Sequence, residues 1–153
     1  MKIFLLTLCF FVFTTSYQLR ATSLFAAQED KQLVSLTKQI IEAKSAGDLY
    51  ASFAQLKELY YKDKKYSEFV ELLNSLKQKK NTAEPLADYY IAEARYSQLK
   101  NLEVTQGWDE YFAKGNDYRD QITGNAAQAI ALTSAKEPVN IYARLLLWKF
   151  HKD

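Results

Sequence analysis

Residues 49–61 read LYASFAQLKELYY, and the fold turns on how the apolar side chains in that stretch recur. Leu49, Phe53, Leu56 and Tyr60 come at steps of four, three and four, the spacing that puts side chains on one face of an α-helix. A half-buried strand would need strict alternation, which is missing. After Lys62-Asp63-Lys64-Lys65 the helical pattern restarts over 66–79, where Phe69, Leu72, Leu73 and Leu76 form a second stripe. So short a link between two amphipathic helices makes them antiparallel neighbours. Each has one apolar face to bury, and the other is the nearest cover.

The same reading extends outward. Towards the N-terminus, Leu33, Leu36, Ile40 and Ala43, widened by Val34 and Ile41, predict a helix from about Glu29 to Ala46. Gly47 is expected to stop it and Asp48 to cap the next. Towards the C-terminus, Pro85 opens a helix to about Leu99, striped by Tyr89, Ala92, Tyr96 and Leu99. From about Gln106, the set Trp108, Tyr111, Phe112, Tyr118, Ile122, Ala126, Ala129 and Ile130 stays in phase across Gly115-Asn116-Asp117. Either one helix runs on to about Thr133, or Gly115 ends one and Asp117 caps another; the unbroken phase favours one. A last helix follows Lys136-Glu137-Pro138 and carries Tyr142, Leu145, Leu146, Trp148 and Phe150. With only 4 glycines and 2 prolines to interrupt these runs, the fold class is all-α.

Two echoes run through the helices. Phe53-x2-Leu56-Lys57-x2-Tyr60 aligns with Tyr89-x2-Ala92-Glu93-x2-Tyr96, a step of 36 residues. Glu84-Pro85-Leu86 with Tyr89 is repeated by Glu137-Pro138-Val139 with Tyr142, a step of 53. The aromatic, leucine and tyrosine positions at this spacing resemble the tetratricopeptide repeat, over about residues 48–153. The pattern is degenerate: Lys57 and Glu93 replace the glycine, Phe69 replaces a small alanine, and Asn81 stands where proline would end the repeat. The longer step leaves room for an elongated second helix. The resemblance implies antiparallel hairpins stacked as an α-solenoid that holds a protein or peptide partner. It also implies an array incomplete at its C-terminus, because Leu145-Leu146-Leu147-Trp148 lacks the polar outer face of a capping helix. More chain, self-association through this apolar helix, or the N-terminal helix folding back would cover it.

The N-terminus reads as a leader. Met1-Lys2 precedes an apolar run, Ile3 to Phe13, too short for a bilayer, which needs about 20 residues, but suited to a secretory signal peptide. The expected division is a signal peptide over 1–23, cleaved somewhere within 16–27, and a helical domain over 24–153 with no stable membrane span. That domain is exported to a periplasmic or extracellular space. An uncleaved anchor or a buried N-terminal helix would fit the same length. Losing the leader removes Lys2 and Arg20 and leaves 18 basic against 18 acidic residues. A surface so balanced argues against nucleic acid as partner. The only cysteine, Cys9, lies in the apolar run without the small residue that a lipidation signal needs before it.

Catalysis fails on inventory. His151 is the only histidine, and no cysteine lies outside the leader, so neither a nucleophilic triad nor a zinc site can be assembled. No glycine-rich phosphate loop is present. The acidic sets Asp109-Glu110, Asp117 with Asp120, and Glu68 with Glu71 fit helix starts and solvated faces rather than a glycosidase pair. The lysines at 62, 64, 65, 77, 79 and 80 suit helix ends. No catalytic residue, cofactor or metal is expected. Tyrosine is the informative surplus, 11 residues. Neighbours on a helix point about 100° apart, so one ring of Tyr60/Tyr61 and one of Tyr89/Tyr90 must leave the main stripe. Tyr61 and Tyr90, joined by Arg95, are the candidates for a partner-facing surface, since aromatic and arginine side chains dominate binding hot spots. The expected function is an exported, non-enzymatic scaffold for protein or peptide partners. The alternatives are a helical accessory fragment of a larger enzyme or envelope-assembly protein, and a carrier of a small apolar ligand.

Overall fold

The computed structural model describes residues 29–105 and 108–153, so the expected leader and its cleavage positions lie outside the described residues. Every regular element among them is helical. Helix α1 spans 29–42, and its first part belongs to a separate unit that ends at Leu36. The unit Thr37–Asp153 contains α2 (Ala46–Lys62), α3 (Tyr66–Lys79), a 3-10 turn at Asn81–Ala83, α4 (Glu84–Thr105), α5 (Trp108–Ala131) and α6 (Pro138–Lys152).

Two boundaries differ from expectation for a local reason. Helix α1 stops at 42, and α2 begins before Gly47 because Ser45, not Asp48, is the N-cap. The Ser45 hydroxyl accepts from the Asp48 N–H at 3.1 Å and donates to the Asp48 carboxylate at 2.7 Å, so Asp48 sits inside the first turn as the second half of a capping pair. The carbonyls at the end of α1 are met by Lys80, whose Nζ donates to Ile41 O at 2.9 Å and Ala43 O at 2.6 Å. The phase argument holds for α5, one helix straight through Gly115. Gly115 is buried against α4, and a Cβ there would lie 3.6 Å from Leu99 Cδ1. That is an ordinary van der Waals distance, and the one tighter neighbour is the flexible Arg119 guanidinium at 3.3 Å, so the glycine neither breaks the helix nor is required by the packing.

Cross-helix contacts set the directions. Lys77 pairs with Asp88, and Gln98 donates to Ser67 at 2.8 Å, so α3 climbs as α4 descends. Arg95 reaches Gln121, Leu99 meets Gly115, and Tyr111 reaches Glu103, which makes α4 and α5 antiparallel along much of their length. Helices α2 and α4 run parallel: Lys57 pairs with Glu93, and Tyr61 lies against Ser97, four residues further along both. The α4–α6 pair is also parallel, with Tyr89 against Tyr142 and Tyr96 against Phe150. Helix α4 is thus the hub. One side is covered by α2 and α3 through Phe53, Leu56, Phe69, Leu73 and Leu76, all fully buried. The other is covered by α5 and α6 around Ala92, Tyr96, Leu99, Ile122, Ala126, Ala129, Ala143 and Leu146.

Candidate functional site

The parallel helices α2, α4 and α6 bring the tyrosines together with one charged pair. Lys57 Nζ lies 2.8 Å from Glu93 Oε1, and the two side chains are 30% and 20% exposed. The ammonium also sits over two rings, 4.9 Å from the Tyr61 centroid and 5.9 Å from that of Tyr90. Tyr89 packs against Tyr90 at 5.0 Å on one side and Tyr142 at 5.9 Å on the other. Tyr50 closes the set: its hydroxyl accepts from the Val139 N–H at 3.1 Å, meeting one of the backbone donors left open at the start of α6.

Burial governs the electrostatics of these rings. It pushes the Tyr61 and Tyr89 hydroxyls well above their ordinary range, and the Glu93 carboxylate adds to the effect. Tyr90 is raised to about 12 by the same two causes in the same order. All three are therefore neutral phenols at any physiological pH, able to donate and accept hydrogen bonds but not to act as bases. Glu93 Oε2 is buried without a hydrogen-bond partner, as is Asp88 Oδ2. The Asp88 carboxylate belongs to a different contact, the ion pair with Lys77 from α3.

Of the three residues expected to form a partner-facing surface, Tyr61 and Tyr90 flank the same Lys57 ammonium, whereas Arg95 turns to α5. Tyr90 is 8% exposed and stacks parallel to Phe53 at 5.7 Å, with Phe69 edge-on at 6.3 Å, so it is part of the core beneath the surface. The doublet is turned the other way, and Tyr89 is the ring at the α6 side. Tyr61 remains half-buried on the Lys57 side, edge-on to Tyr66 at 4.9 Å. Arg95 faces α5, where Nε donates to Gln121 at 2.6 Å and the guanidinium lies 5.2 Å from the Tyr118 ring, while Nη1 donates to Gln98 of its own helix at 2.6 Å. It ties two helices together. Sequence reasoning passed over Lys57, Tyr89 and Tyr142, although the two echoes had already aligned Lys57 with Glu93 and Tyr89 with Tyr142.

Among the described residues, no three His, Cys, Asp or Glu side chains are grouped to hold a metal ion, and no helix is long and apolar enough to cross a membrane. A cavity of about 450 Å³ beside α2 is lined by Gln39, Glu42, Lys44, Asp48, Ser52 and Gln55, and shares none of the tyrosines. No protein-family model, no curated protein and no solved structure matches the chain.

Proposed function

We propose that this chain is an exported, non-enzymatic scaffold of tetratricopeptide-like hairpins that holds a protein or peptide segment along the face shared by α2, α4 and α6. One observation carries the reading: residues that echo each other in sequence touch each other in space. Lys57 and Glu93, 36 residues apart, form the ion pair, and Tyr89 and Tyr142, separated by the 53-residue step, pack ring to ring. Such register is what a stack of repeating hairpins produces, with first helices side by side and second helices behind them. The segment so held would lie across phenol rings that offer apolar area and neutral hydrogen-bonding hydroxyls at little entropic cost, beside the Lys57–Glu93 pair.

Selection of a displayed random-peptide library on the purified protein tests this. Enriched peptides should bind at least about tenfold less tightly to a Tyr61→Ala/Tyr142→Ala variant, the loss expected when anchor rings are removed. A library that yields no enrichment, or peptides indifferent to that double substitution, would remove the face from consideration.

A further inference from the structure

Helix α6 is apolar on two opposite sides, and only one of them is used within the chain. Val139, Ala143 and Leu146 are buried, the last two in the cluster shared with α4 and α5. Directly opposite, Ile141, Leu145 and Trp148 are 45%, 56% and 63% exposed. At steps of four and three they form one continuous stripe. The same stripe continues to Glu137 at the start of the helix and Lys152 at its end, so it reads acid, three large apolar residues, base. Glu137 is exposed and uses only Oε1 to accept from the Ser134 N–H, at 2.8 Å. Lys152 lays its ammonium 5.2 Å from the Trp148 ring, at the edge of the apolar patch.

We propose that this outer face of α6 is a self-association surface that pairs with the same face of a second copy of the chain, antiparallel about a two-fold axis near Leu145. Charge order decides both occupant and direction. A stripe with opposite charges at its ends complements itself only when turned end for end; Glu137 then meets Lys152 of the second copy at both ends. Parallel pairing would place acid on acid and base on base. The antiparallel arrangement also opposes the two helix dipoles. Ile141 falls opposite Trp148 of the second copy, and the two Leu145 side chains meet near the axis. Of the remaining charged residues on α6, Arg144 donates to Asn140 at 2.8 Å and Lys149 lies over Tyr96, so both are engaged on the flanks. The proposal is independent of the α2–α4–α6 face, since the stripe points away from the core.

Sedimentation equilibrium over about 1–500 µM, the range expected for a small single-helix interface, tests it. The protein should approach twice the chain mass, and Leu145→Glu, at an exposed position that leaves the helical circular dichroism unchanged, should return it to a monomer. Glu137→Lys and Lys152→Glu should each weaken the dimer about two- to fivefold, and the two combined should restore it. In a Cys9→Ser background, Leu145→Cys should form a disulfide-linked dimer on mild oxidation. A monomer throughout the range, or an oligomer that survives Leu145→Glu, overturns the proposal. Charge reversals that fail to rescue each other overturn the antiparallel pairing and leave the stripe to another protein's helix.

Discussion

At the scale of single residues, two positions carry strain that the rest of the fold supports. Lys64, just past the C-cap of α2, has φ of 56°, the left-handed region where a side chain clashes with its own backbone. The conformation closes the helix, with Lys64 N–H donating to Tyr61 O and Lys65 N–H to Tyr60 O at 2.9 Å. Lys64→Gly keeps that closure and removes the clash, so it should raise stability by about 0.5–1 kcal/mol in urea denaturation. A loss would mean that the lysine side chain contributes a contact worth more than the strain. Asp88 is the second position. Burial holds its carboxyl above the ordinary value of 3.8, opposed by Lys77 and assisted by Glu84. The native protein therefore binds a proton there more readily than the unfolded chain. Its contribution to stability is full below pH 3.8 and falls away as pH rises through the higher native value. The stability of the wild type relative to Asp88→Asn should accordingly decline as pH rises above 3.8. A difference that instead grows with pH would mean that the Lys77 charge outweighs desolvation.

At the scale of helices, the Lys57–Glu93 pair joins α2 to α4, with one Glu93 oxygen already buried and unpartnered. Lys57→Met removes the cation and leaves the carboxylate uncompensated, at a cost of about 1–2 kcal/mol given the partial exposure of both groups. Lys57→Met/Glu93→Gln together should cost less than the sum of the singles in a double-mutant cycle; strict additivity would mean the pair does not couple the helices. These elements were legible in the sequence wherever one apolar stripe had one phase: α3 falls on 66–79 as read, and α5 keeps its phase through Gly115. Legibility failed where two side chains competed for one job. Ser45 and Asp48 are both good caps, and only the backbone entering α2 decides that Ser45 takes the role. Tyr89 and Tyr90 are equally apolar, and the choice between them is made by Phe53 and Phe69 from other helices, which offer a stacking slot to Tyr90 alone. Arg95 was misplaced for the same reason, since periodicity cannot reveal Gln121 and Tyr118 waiting on α5.

At the scale of the whole unit, everything depends on α4. It contributes Leu86, Ala87, Tyr90 and Ile91 to the buried set, and Ala92, Tyr96 and Leu99 to the cluster shared with α5 and α6. One rigid helix serving both sides links their unfolding, because neither side keeps its cover if α4 melts. The sequence provides a probe for this. Its only tryptophans, Trp108 and Trp148, are largely exposed, but each contacts a neighbour on its own helix, Phe112 on α5 and Lys152 on α6. Indole fluorescence therefore reports the melting of those two helices, while circular dichroism reports every helix. The two urea transitions should coincide, the test of two-state behaviour. Phe53→Ala, which empties a fully buried position on the α2 side, should move both to lower urea together, with a loss of about 3–5 kcal/mol. If the substitution moved the circular dichroism transition and left the tryptophan transition in place, α2 and α3 would melt independently. The helices would then behave as an array of loosely joined hairpins rather than one cooperative body.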